Sequence, residues 1–353
     1  MKHLGFTGPI TSLISPEDYE GYELARVIIE HKERYTIQTT TGVYSAEITG
    51  NLRYAAQSRL EFPAVGDWVK VTMMDEKTAI ILSVFPRTTI LERQAVGKQA
   101  ETQVIATNID YAFIVQAAGQ DFNLKRLERY LAICYTSNIK PILLLSKTDL
   151  ISDEGKTALI AQINERIKDV PVIPLSIHIS ESFEAVSEIM EAHKTYCFIG
   201  SSGVGKSTIV NQLKDEETLK TSEVSSSNNK GRHTTTHREL LVLSNQSIVI
   251  DTPGMREIGM TDNAKGIELT YDEIQEISKE CKFNDCTHVH EVRCAVLQAI
   301  EEGVISKGAY DNYHKMKREQ LHFSSSVHEK RQRSKSQVKM YREVQTERRK
   351  RKY

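Results

Sequence analysis

Residues Gly200-Ser201-Ser202-Gly203-Val204-Gly205-Lys206-Ser207 satisfy G-x-x-x-x-G-K-[ST] at every fixed position. The apolar run Tyr196–Ile199 precedes them and a helical stretch, Lys206–Leu213, follows, which is the strand–loop–helix setting this motif requires. Glycines let backbone N–H groups wrap phosphate oxygens, and the helix N-terminus adds the positive end of its dipole. Lys206 is the side chain expected to reach the β- and γ-phosphates, Ser207 the one to ligate Mg²⁺, with Thr208 in the same nucleotide-binding segment. A second signal, Asp251-Thr252-Pro253-Gly254, closes the apolar strand Ser247–Ile250 about 45 residues later. An Asp in that place holds Mg²⁺ through water, and the Gly254 amide can sense a γ-phosphate.

Ser146-Lys147-Thr148-Asp149 follows another apolar run, Pro141–Leu145. At this place GTPases carry Asn-Lys-x-Asp, whose carboxylate accepts from guanine N1–H and the 2-amino group. Adenine offers neither donor, so Asp149 would be left charged and unpaired against it. Ser146 stands where the bracing amide is usual, a departure expected to soften affinity or selectivity and one that keeps an ATP-using P-loop enzyme open as an alternative. A third group is Cys281-x4-Cys286-x-His288-x5-Cys294: three thiols and an imidazole suit a tetrahedral, structural Zn²⁺ with no open position. His290 is a rival imidazole at this spacing.

These groups need a scaffold. Short segments rich in Val, Ile, Thr and Tyr, namely Glu23–Ile29, Arg34–Thr39, Val43–Thr49, Asp67–Met73 and Ala79–Val84, predict a small closed β-barrel, of which the OB-fold is one form. Trp68, the one tryptophan, reads as a barrel-wall residue more readily than as a base-stacking platform. Beyond Pro86-Arg87, strands at Asp110–Ala117, Pro141–Leu145, Val172–Leu175 and Tyr196–Ile199 alternate with helices at Asn123–Tyr135, Glu154–Ile167, Ser182–His193 and Lys206–Leu213. Glu239–Leu243 and Ser247–Ile250 then form an antiparallel pair. That alternation predicts an α/β domain with a mostly parallel sheet covered on both faces. The polar stretch 215–237 reads as a long loop, and the chain from Thr261 onward shows only helical signals and the cysteines.

Hydrophobic content of 39% and charged content of 26% exclude a membrane class and wholesale disorder, and no run reaches about 18 apolar residues. The formal net charge of −1 hides an asymmetry: residues 315–353 carry 14 Lys and Arg against 4 Asp and Glu, leaving 32 against 43 in the preceding 314. An acidic body with a basic arm, ending in Arg348-Arg349-Lys350-Arg351-Lys352, points to a polyanionic partner. Clustered cysteines without a dispersed, even set point to a reducing compartment, hence a cytosolic protein.

The order of these motifs, with Ser146–Asp149 ahead of the P-loop, resembles the circularly permuted GTPases, specifically the ribosome small-subunit-dependent GTPase family (ribosome biogenesis GTPase A). The likeness covers nearly the whole chain. It implies an OB-fold over 1–90, a permuted P-loop GTPase domain over 91–260 and an α-helical zinc domain with a basic arm over 261–353. It further implies GTP and GDP as ligands, Mg²⁺ with GTP, structural Zn²⁺, and a cytoplasmic role, without membrane contact, in late maturation of the small ribosomal subunit. That subunit and its rRNA would be the partners and would stimulate hydrolysis, the chain itself acting as a monomer. An RNA-binding assembly scaffold with a regulatory nucleotide site is the alternative. Met255 stands where small GTPases place a water-orienting Gln, and the resemblance transfers that role to His233, in Gly231-Arg232-His233-Thr234-Thr235-Thr236. Thr235 of the same segment would complete the Mg²⁺ shell.

Overall fold

Strands β1 (Glu23–His31), β2 (Arg34–Gln38), β3 (Val43–Ile48), β4 (Trp68–Met73) and β5 (Thr78–Val84) fall where the segments rich in Val, Ile, Thr and Tyr predict them. A computed structural model describes residues 1–31, 34–94, 102–119, 121–221, 238–251 and 263–324 of the 353-residue chain. The five strands pair in the order β1-β2-β3-β5-β4, and β4 returns to β1 with Ala25 opposite Val69, which closes a barrel of OB type. Val27, Ile37, Val69, Val71 and Ile81 fill its interior. Two short helices decorate it, α1 (Pro9–Leu13) and α2 (Gly50–Ala55), the latter capped by Thr49, whose hydroxyl accepts from Leu52 N at 3.0 Å. Trp68 is buried, with Phe6 edge-on at 5.0 Å and the Arg26 guanidinium 5.3 Å from its ring, so it is a wall residue and offers no face to a base.

The sequence pattern gave no sign of the hairpin β6 (Ile90–Gln94) and β7 (Thr102–Thr107) that follows. The α/β region then runs β8 (Tyr111–Ala117), α3 (Leu124–Thr136), β9 (Lys140–Ser146), α4 (Asp153–Arg166), β10 (Val172–Pro174), α5 (Ser180–Glu188), β11 (Thr195–Ile199), α6 (Lys206–Thr221), β12 (Arg238–Val242) and β13 (Ile248–Asp251). Helix α5 stops five residues short of the expected His193, whose own φ of 66° cannot continue a helix, and α6 runs past Leu213 to Thr221. The strand order is β10-β9-β8-β11-β13-β12, parallel except for β12. Side chains alternate between two cores: Ala112 and Ile114 of β8 pack with Leu124, Leu127 and Leu131 of α3, while Phe113 and Val115 pack with Phe183, Ile209 and Val210 on the other face.

Strand β1 extends beyond the barrel to pair with β12, Ile29 opposite Glu239 and Glu30 opposite Arg238, so barrel and parallel sheet share one hydrogen-bonded ladder. The C-terminal helices are α7 (Ala264–Thr270), α8 (Asp272–Ser278), α9 (Ala295–Glu301) and α10 (Lys307–Ser324), with Ile267, Tyr271, Val296, Tyr313 and Met316 in a core of their own that also takes in Ala132 of α3. Close approach of α7 to α3 needs Gly266: a Cβ there would lie 1.9 Å from the Ala132 carbonyl oxygen. Among the described residues, no helix is long and apolar enough to cross a membrane.

Candidate functional site

Chain direction sets the site. From β8 the connections lead outward to β9 and β10, whereas from β11 they lead the other way to β13, so a crevice opens at the carboxyl ends of β8 and β11, the usual ligand position in open α/β sheets. Register brings three motifs to that edge: Ile199 lies beside Ile114, Ala117 beside Ser146, and Cys197 beside Ile250. Gly200 to Ser207, Ser146 to Asp149 and Asp251 therefore share one end of the sheet.

The P-loop departs from β11 at Gly200, where a Cβ would lie 2.4 Å from the Val115 carbonyl oxygen; Gly203 and Gly205, at φ 80° and 98°, supply the left-handed turns. Val204 is buried as the loop's apolar anchor, while Ser202, Gly203, Ser207 and Thr208 face outward. The Lys206 ammonium donates to the carbonyl oxygens of Gly200 (2.7 Å) and Ser201 (2.6 Å), so it lies across the loop it serves. Arg126, in the first turn of α3, donates to Ser201 Oγ at 3.1 Å. Asp251 ends β13 nearly buried, its carboxylate 3.8 Å from Lys214 Nζ. A serine hydroxyl and a carboxylate are hard oxygen donors and fit Mg²⁺. Gly254, Met255, His233, Thr235 and the basic arm beyond residue 324 lie outside the described residues.

Ser146 changes the reading of its motif. It is buried, and its hydroxyl donates to the Val204 carbonyl at 2.7 Å, so the base-reading loop is tied directly to the P-loop across 58 residues. A hydroxyl thus braces this loop where an amide is usual. Lys147 adopts φ 58°, which turns the chain and leaves Lys147 and Asp149 exposed with Thr148 half-buried. A hydrogen bond from the Ser176 hydroxyl holds the Asp149 carboxyl below the usual aspartate range, helped by the charges of His178 and Lys147. Ser176 begins the loop after β10, and the Thr148 amide donates to the Leu175 carbonyl at 3.3 Å, so this third loop buttresses the second. Sequence reading passed over Ser176, His178 and Arg126. A small polar residue directly after the apolar run Val172–Leu175 was the signal for Ser176, since Ser146 likewise follows the apolar run Pro141–Leu145.

Some 80 residues further on, Cys281, Cys286, His288 and Cys294 converge, their ligand atoms all within 4.8 Å of one another; His290 stands outside, exposed. Sγ of Cys281 is 3.8 Å from Sγ of Cys294, and His288 Nδ1 is 3.5 and 3.4 Å from those two sulfurs. Tetrahedral Zn²⁺ with bonds of about 2.3 Å to sulfur and 2.0 Å to nitrogen sets separations of about 3.8 and 3.5 Å. Burial pushes the His288 imidazole below the usual histidine range, toward the neutral form that a ligand must have. Burial alone would raise the Cys281 thiol, but N–H groups of Val296 and Ala295 at the start of α9 outweigh it and favour the thiolate. Cys294 caps the same helix, accepting from Leu297 N. The Tyr310 hydroxyl donates to the His288 carbonyl at 2.7 Å and fixes the ligand's backbone, which holds a φ of 61°.

A P-loop at a topological switch point, tied to the Ser146–Asp149 loop that precedes it in the chain, defines a P-loop nucleotide-binding fold of permuted order. Solved structures agree in fold: YloQ, titled a circularly permuted GTPase, superposes with a TM-score of 0.62 at 24% identity over 89% of this chain and all of that one. YjeQ from Thermotoga maritima gives 0.63 at 22% over 85% and 99%. A family model described as RsgA GTPase matches residues 84–261. The small ribosomal subunit biogenesis GTPase RsgA 1 of Bacteroides thetaiotaomicron is 40% identical over 331 residues, 92% of this chain and 91% of that one. The RsgA of Methanosarcina acetivorans is 40% identical over 309 residues, 87% and 82% of the two chains. The chain belongs to the RsgA GTPase family.

Proposed function

We propose that this chain is a GTP-hydrolysing switch that docks on the small ribosomal subunit and assists its maturation, with the subunit stimulating hydrolysis. The observation that carries this reading is the Ser146–Val204 bond, which joins the base-reading loop to the phosphate loop in one site. Asp149 would accept from guanine N1–H and N2–H, its charge secured by Ser176. Backbone N–H groups of 201–207 would hold the phosphates, and Lys206 would meet the charge that builds on the β- and γ-oxygens. Ser207, Asp251 and Thr235 would hold Mg²⁺, which neutralises that same charge. His233 is assigned to orient the attacking water, because Met255 has no group to do so.

Relatives named for small ribosomal subunit biogenesis support the partner assignment. The basic arm, with its excess of Lys and Arg, fits rRNA, so docking should weaken steeply as salt rises. Cys281, Cys286, His288 and Cys294 would hold structural Zn²⁺. The division of labour is a barrel over 1–90, a GTPase domain over 91–260 and a zinc domain with its arm over 261–353, acting as a cytoplasmic monomer. Multiple-turnover hydrolysis of GTP and ATP, with and without purified small subunits, tests the whole reading. GTP turnover that rises with subunits supports it. Flat turnover would favour an assembly scaffold, and equal use of ATP would overturn the role of Asp149.

A further inference from the structure

Helix α3 begins against the phosphate loop. Asn123 caps it, its side chain accepting from Arg126 N at 3.2 Å, which sets the first turn and aims the half-buried Arg126 side chain at β11's loop. There the guanidinium donates to Ser201 Oγ at 3.1 Å, a contact spanning 75 residues. Ser201 is thus gripped from two sides, its hydroxyl by Arg126 and its carbonyl by the Lys206 ammonium at 2.6 Å. The far end of the same helix is fixed independently, because Arg129 donates twice to Glu319 (2.9 and 2.6 Å) and Ala132 abuts Gly266. Arg126 therefore reaches Ser201 from a helix that is itself anchored.

We propose that Arg126 is a positioning residue for hydrolysis: it fixes Ser201, and through Ser201 the ammonium of Lys206, in the arrangement that the transferring phosphate requires. Two cations then bear on one residue of the loop, and the guanidinium adds positive potential at the edge of the triphosphate site without touching it. An ammonium held by a fixed carbonyl needs no reorganisation as charge builds on the γ-phosphate, so the benefit falls on the transition state more than on bound GTP. This proposal rests on the GTPase reading of the site.

Steady-state GTP hydrolysis by the full chain, with and without small ribosomal subunits, tests it in Arg126→Ala, Arg126→Lys, Ser201→Ala and the double variant Arg126→Ala/Ser201→Ala. Arg126→Ala should lower kcat about tenfold while KM and GDP affinity stay within about twofold. Arg126→Lys should recover part of the loss, since an ammonium can still donate to Ser201 but lacks the guanidinium's reach. Ser201→Ala should lose as much as Arg126→Ala, and the double variant no more than either single, because both cut one bond. An Arg126→Ala chain with kcat within about twofold of the parent, losses that multiply in the double variant, or a raised KM at constant kcat would each overturn the proposal. A parent that hydrolyses no GTP would overturn the underlying reading and this one with it. A fully active parent beside an equally active Arg126→Ala would overturn this one alone.

Discussion

Two joints flank the parallel sheet, and each is built on one buried charge. On the barrel side Arg26, 1% exposed, donates to the carbonyl oxygens of Gly66 (3.2 Å), Asn108 (3.2 Å) and Leu4 and to Thr195 Oγ1 (3.0 Å). On the side of the C-terminal helices Glu128, 2% exposed, accepts from Arg166, from the Tyr271 hydroxyl (3.0 Å) and from Asn312 Nδ2 (2.6 Å). The first charge is held mostly by main chain, three carbonyls and one hydroxyl, beside a shared β-ladder. Burial lowers its pKa only to about 10, so it stays ionised near neutrality. The second is held by side chains alone, next to a cavity of about 220 Å³ lined by Arg166, Tyr271 and Ile305, and burial pushes its carboxyl above the usual glutamate range despite Arg166. A joint closed by backbone resists separation. One closed by side chains around a reluctant carboxylate has no such backbone ladder to hold it, and should part at lower cost.

The strongest challenge to this contrast is metal removal. Chelation should strip one zinc per chain, measured by elemental analysis. It should unfold the C-terminal unit, worth on the order of 10 kcal/mol of local folding free energy, while GTP binding persists. Loss of nucleotide binding along with the metal would make the second joint as rigid as the first. Arg26→Met comes next. It leaves several buried acceptors unpaired and should cost about 3–5 kcal/mol, felt by barrel and sheet together. Trp68 fluorescence and GTP binding should then be lost in one thermal transition.

Glu128→Ala, which orphans Arg166, should cost about 2–4 kcal/mol at the second joint only, read as faster amide exchange in α7 to α10 with β8 and β11 unchanged. Its pH dependence has a definite sign. With the folded pKa raised, the carboxyl's contribution is complete below the unfolded value of about 4.3 and is lost as pH rises through the folded one, so the joint should loosen with rising pH. Glu128→Gln should flatten that dependence. The smallest effect belongs to Gly266→Ala, where one methyl group against the Ala132 carbonyl should part α7 from α3 at about 1–3 kcal/mol. An unchanged melting temperature would mean the helices already have slack.

Much of the frame was legible because its signals are local. Barrel strands are rich in Val, Ile, Thr and Tyr, the parallel strands are mostly apolar runs, and the P-loop carries its chemistry in eight consecutive residues. The Cys/His set was legible for the same reason, and the fold leaves the rival His290 outside it. What escaped was long-range. Arg26 meets partners 22 to 169 residues away and Glu128 partners 38 to 184 away, and no window of sequence joins them. The contact of Ser146 was not legible because it depends on how near Val204 comes, a distance set by the β8–β9 and β8–β11 registers and not by residue type. The β6–β7 hairpin went unseen since Thr and Gln interrupt its apolar pattern.

The ladder between β1 and β12 has a mechanical meaning. Strand β12 is stitched to the barrel at Arg238 and Glu239, and its Glu239 lies opposite Asp251 of β13. Arg238 is clamped there by its place opposite Glu30 and by its bond to the Val104 carbonyl at 3.0 Å. The barrel is thus a handle on the strand that lies beside Asp251. Whatever grips that handle bears, through two shared ladders, on the carboxylate at the phosphate end of the sheet.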